Sequence, residues 1–109
     1  MLPKFFNIER EVIIFMSEEM NLSTIREKID EVDRELVTLL LKRFKLVSKV
    51  PEVKKKLNLK TIDMKRETYI LSTVMKLAEE GGLDGNYMRN IFRAIIDNCT
   101  TFEKKSALT

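Results

Sequence analysis

Between residues 25 and 54, apolar side chains return every three or four positions: Ile25, Ile29, Val32, Leu36, Leu39 and Leu40, then Leu46, Val47, Val50 and Val53. That is the period of one helical face. Asn21 or Ser23 can cap its start, and the pattern runs from near Leu22 to about Leu57. A helix of that length spans about 50 Å, against roughly 35 Å for the width of a compact domain of this size, so it must bend or pair with another chain. Pro51 removes one backbone donor and crowds the Val47 carbonyl, which predicts a kink near Pro51 or a helix broken into two. Asn58 to Ile62 reads as a connector, and Asp63 caps a second helix through about Glu80, ended by Gly81 and Gly82. A third helix runs from about Asp84 or Asn86 to Lys104, with Tyr87, Ile91, Phe92, Ile95, Ile96, Cys99 and Phe102 as its apolar side. The expected fold is all-α, with three helices per chain.

Two cations break the apolar stripe of the first helix. Arg43 and Lys54 sit inside it, and at about 100° per residue the interval between them returns to within roughly 20° of the start. An intact helix would therefore turn both toward the core. A buried cation is costly unless an anion meets it, so carboxylates of this chain or an anionic ligand must do so. Arg26 is rotated about 100° from Arg43 and addresses something else. On the second helix Asp63, Arg66 and Glu67 lie three and four apart, so all three can face one point. Cys99 and Glu103 are four apart on the third, beside Ile95 and Ile96, and could line the same cavity. Arg43, Lys54 and Arg66 outnumber the inward acids, which suits a small dianion.

Composition narrows the class. With 109 residues, 44% apolar and 34% charged, there is room for one helical domain, and Gly 3 with Pro 2 leaves little turn chemistry for a β protein. The net charge of +3 comes from 20 basic residues interspersed with 17 acidic ones, with no basic tail or basic-aromatic stripe to suggest nucleic acid. One cysteine excludes an internal disulfide, and a single Cys without His speaks against a zinc site. A reducing cytosol is the expected compartment. No apolar run approaches the roughly 20 residues that cross a bilayer, and Val12 to Met16 is too short for a signal core. Residues 1–20 form an N-terminal extension without sustained period. Glu11, Val12 and Ile13 can be encoded as a ribosome-binding sequence just upstream of Met16, so the extension reads as translated leader or as a disordered, loosely packed segment ahead of a domain at 21–109.

In order and spacing, IREKIDEVDRELVTLLLKR, the lysine of VKKK, DMKRE and GLDGNYMRNIFRAIIDNCTTFE resemble the all-helical class of chorismate mutase, over nearly all of residues 22–105. The resemblance implies an intertwined helical homodimer and the rearrangement of chorismate to prephenate, on the route to phenylalanine and tyrosine, without metal or cofactor. It implies that Arg26 reaches into the partner's site and that Arg43 holds a carboxylate of the dicarboxylate substrate. Lys54 would meet a carboxylate and the ether oxygen of the breaking bond; Asp63, Arg66 and Glu67 would surround the hydroxyl and ring. Cys99 and Glu103 would complete the carboxylate and ether-oxygen contacts, Glu103 as a protonated donor. The sequence departs from the family at Pro51, at Cys99 in place of a hydroxyl, and in its N-terminal extension. With no room for a fused dehydratase or dehydrogenase, a monofunctional enzyme is expected.

Blander readings compete with each residue. Arg43 and Lys54 could snorkel from a helix edge or pair with Glu67 and Asp97 in a structural network. Asp63 serves equally as a helix cap, Arg66 as a surface group, Cys99 as a small core residue and Arg26 as a surface ion-pair partner. Two other functions fit the pattern: an isochorismate pyruvate lyase on the same scaffold, and a non-enzymatic helical module that dimerises through the long helix.

Overall fold

The computed structural model of the chain describes residues 21–60 and 63–108, with side chains through residue 105. The expectation for residues 1–20 lies outside the described residues. All regular structure among the described residues is helical: α1 is Leu22–Val47, α2 is Val50–Lys56, α3 is Met64–Glu80 and α4 is Gly85–Leu108. The three expected helical stretches are there, the first of them divided into α1 and α2.

The division has a backbone cause. Ser48 still donates to the Phe44 carbonyl at 2.9 Å, but Lys49 reaches only three residues back, to Leu46, at 3.1 Å. Pro51 then lies at the opening of α2, where its missing N–H costs nothing because the first donors of a helix have no partner within it. The turn falls at Ser48 and Lys49, ahead of the proline, which in a continuous helix would crowd the Val47 carbonyl and offer it no donor.

Local chemistry sets the other ends. The Asn21 side-chain oxygen accepts from the Thr24 amide at 2.9 Å and from its hydroxyl at 3.0 Å. Asp63 accepts from the Arg66 amide at 3.0 Å, a cap worth about 1 kcal/mol. Asn58 holds φ 56° at the end of α2, and Leu59 and Asn58 donate back to the carbonyls of Lys54 and Lys55 at 2.9 and 3.2 Å. This is a left-handed stop, and asparagine tolerates it better than most residues. Gly82, at φ 86°, closes α3 in the same way, with Leu83 and Gly82 donating to Ala78 and Glu79.

The chain divides into two compact units, Met1–Leu40 and Leu41–Thr109. The described part of the first is helix, and its apolar stripe is open: Ile25, Ile29, Val32 and Leu36 are all exposed, and no residue of α1 is buried. The stripe was expected to face a core. Instead, the buried apolar residues among those described are Ala78, Ile96 and Cys99, all in the second unit, where α3 packs along α4 and α2 touches α4. Gly85 lets α4 start against α3, since a Cβ there would come within 3.1 Å of the Met75 carbonyl oxygen.

Candidate active site

Phe44, in the last turns of α1, meets Phe102 of α4 edge to face with ring centroids 5.4 Å apart, a contact worth about 0.5–1.5 kcal/mol beyond its buried area. The pair brings the neighbours of both rings together. Arg43 donates through Nη1 to the sulfur of Cys99 at 2.9 Å, and Cys99 is 3% exposed. Glu103 lies one turn beyond Cys99 on α4 and is half-buried, as are Arg43 and Lys54. Burial raises the Glu103 carboxyl above the ordinary carboxylate range, while the positive charges of Lys54 and then Arg43 pull it partly back. Arg43, Lys54, Cys99 and Glu103 therefore share one neighbourhood, drawn from α1, α2 and α4.

The route by which the two cations meet differs from the single helical face inferred from spacing. Arg43 belongs to α1 and Lys54 to α2, on opposite sides of the Ser48–Lys49 turn. The Lys54 carbonyl accepts the Leu59 amide in the stop at Asn58.

The three residues expected to act together at the opening of α3 have separate partners. Asp63 is exposed and caps its helix, the Arg66 guanidinium is exposed and lies 5.4 Å from the centre of the Tyr69 ring, and Glu67 is half-buried and accepts from Arg93. Arg93 also donates to Asp97, so Glu67 and Asp97 are engaged by a residue other than Arg43 or Lys54. Arg26, in the Met1–Leu40 unit, is exposed. The sequence reading missed Arg93; the available signal was its i, i+4 relation to Asp97, which looks like an ordinary surface pair.

Chemically, the neighbourhood offers two cations, one carboxyl inclined to keep its proton, and a buried sulfur. Such a set can hold carboxylates and donate a hydrogen bond to an oxygen gaining charge. The sequence model of the family described as chorismate mutase type II matches residues 25–104, a span that includes Arg26, Arg43, Lys54, Asp63, Arg66, Glu67, Cys99 and Glu103. The chain belongs to the chorismate mutase type II family. The chorismate mutase of Methanocaldococcus jannaschii is 34% identical to it over 84 residues, covering 77% of this chain and 85% of that one. The bifunctional chorismate mutase/prephenate dehydratase of Aquifex aeolicus is 34% identical over 87 residues, covering 77% of this chain and 24% of that one. The T-protein of Enterobacter agglomerans is 34% identical over 82 residues, covering 75% and 22%. This chorismate mutase domain thus spans most of the archaeal relative and about a quarter of the other two. No described helix is long and apolar enough to cross a membrane.

Proposed function

We propose that the protein is a chorismate mutase that rearranges chorismate to prephenate in the neighbourhood of Arg43, Lys54, Cys99 and Glu103. The observation that carries this reading is the Arg43 to Cys99 hydrogen bond, which ties the cation at the end of α1 to the helix that carries Glu103. The reaction is intramolecular: a carbon–oxygen bond breaks while a carbon–carbon bond forms, and no proton or electron leaves the substrate. The protein's task is to hold the folded conformer and to stabilise charge that appears as the bond breaks.

Arg43 meets one substrate carboxylate and Lys54 the second carboxylate together with the ether oxygen. Negative charge grows on that oxygen as it loses carbon. A protonated Glu103 donates to it, and an ionised one would repel it; the upward shift of the Glu103 carboxyl supports this role. Glu67 receives the substrate hydroxyl, with Asp63 and Arg66 at the rim. Cys99 lines the pocket and steadies Arg43, since a thiol is a weak donor.

The active form is a homodimer in which Arg26 of each chain completes the partner's site. The support is the open apolar stripe of α1, which a second copy would cover. A free thiol at Cys99 suits a reducing cytosol.

The test is to supply chorismate to purified protein, follow its ultraviolet absorbance, and identify the product by mass. Prephenate supports the mutase. Turnover of isochorismate alone, with release of pyruvate, would replace it with the lyase, and a folded dimer inert toward both would leave the helical module.

A further inference from the structure

We infer that Arg93 is a positioning residue for this site, fixing the orientation and offsetting the charge of Glu67. The inference rests on the reading above, in which Glu67 receives the substrate hydroxyl. Arg93 reaches from α4 to the first turns of α3, where Nη2 donates to Oε1 of Glu67. Its Nε and Nη2 also donate to Oδ1 of Asp97 at 3.2 and 2.8 Å. Asp97 lies one turn along α4 from Arg93 and is exposed, while Arg93 and Glu67 are half-buried. The three form a chain of alternating charge, Asp97 to Arg93 to Glu67, that crosses from one helix to the next.

Two effects follow from this arrangement. A guanidinium is a rigid planar fork, and one held by Asp97 on its own helix presents its remaining donor in a set direction. Glu67 is gripped at Oε1, which keeps its flexible side chain in one pose and leaves lone pairs of its second oxygen for a hydroxyl donor. The other effect is electrostatic. A carboxylate within a site that takes a dianion would repel it, and the charge of Arg93 offsets that repulsion. The field of Arg43 and Lys54 then acts on the substrate with less opposition.

The experiment is steady-state kinetics with chorismate on the full chain, comparing wild type, Glu67→Gln, Arg93→Gln, Arg93→Lys, Asp97→Asn and the Glu67→Gln/Arg93→Gln double variant, with thermal midpoints for each. We expect Arg93→Gln to lower kcat/KM by about 10- to 100-fold, the scale on which misplaced groups cost rate, with a midpoint close to wild type. Arg93→Lys should recover part of the loss, since it restores charge without the fork. The double variant should be little worse than Glu67→Gln alone, because Arg93 acts through Glu67. Asp97→Asn should show a smaller loss in the same direction, and it carries the test if Arg93→Gln fails to fold.

Wild-type kinetics in Arg93→Gln and Asp97→Asn, or fully additive losses in the double variant, would overturn the role of Arg93 while leaving the mutase reading in place. Wild-type kinetics in Glu67→Gln would remove the substrate role of Glu67 and the inference with it. Absence of turnover by the wild type would overturn the proposed function itself, so the failures are told apart.

Discussion

Arg43 and Cys99, 56 positions apart in sequence, are joined by a 2.9 Å hydrogen bond from guanidinium to sulfur. The sulfur is buried and soft, and as an acceptor it is weaker than an oxygen. It therefore steadies the guanidinium while leaving its other donors and its charge for a ligand.

Removing either cation should cost activity far more than stability. Arg43→Ala and Lys54→Ala should each lower kcat/KM by about 10²- to 10³-fold, the range seen when a fixed donor to developing charge is lost. Their unfolding free energies should stay within about 1 kcal/mol of wild type, since both side chains are half-buried. Chorismate consumption and urea denaturation on the same preparations test both halves.

Activity should fall as pH rises through the raised pKa of Glu103, because the donor is the protonated acid. Substrate adds a further expectation. Lys54 and Arg43 lower the Glu103 pKa in the free protein, and substrate carboxylates would neutralise both. The descending limb of kcat should therefore lie at higher pH than that of kcat/KM, since the first reports the complex and the second the free enzyme. Glu103→Gln should flatten both limbs; a profile that keeps its descent in that variant would refute the assignment. The same shift makes folding bind a proton, so the contribution of Glu103 to stability is present at low pH and is lost as pH rises through its folded pKa.

Cys99→Ser should retain kcat/KM within about threefold, because a hydroxyl of similar size can accept from Arg43 and is the better acceptor. Cys99→Leu should lose activity and destabilise the fold by about 1–3 kcal/mol, as overpacking at a buried position does. Kinetics and denaturation midpoints distinguish the two.

Inactive Arg26→Ala and inactive Arg43→Ala chains, refolded together, should regain about a quarter of wild-type activity. Half of the dimers would be mixed, and each mixed dimer would have one intact site and one doubly defective site. Recovery near zero, despite mixed dimers seen by native mass spectrometry, would place Arg26 in its own chain's site.

Legibility in the sequence followed the range of the interaction. Asp63 as a cap and Gly82 as a stop depend on neighbours within four residues, and both were readable from spacing and residue type. A break in the first helix was readable from Pro51, but its place at Ser48 and Lys49 was not, because no residue type there marks Lys49 as the amide that turns to Leu46. The helical period of the α1 stripe was plain, yet periodicity identifies a face and does not say what covers it; no residue of α1 is buried. Glu67 could be nominated by its place beside Arg66. Its engagement by Arg93, 26 positions away, required the packing of α3 on α4, which no local rule encodes.

The turn at Ser48–Lys49 gives each cation its own bearing. On one continuous rod, any change that rotated Arg43 would swing Lys54 by the same angle. Here Arg43 is registered against Phe102 and Cys99 through its end of α1, and Lys54 against the stop at Asn58. The gap between the two charges is thus separately adjustable, open to tuning at the two joint residues Ser48 and Lys49.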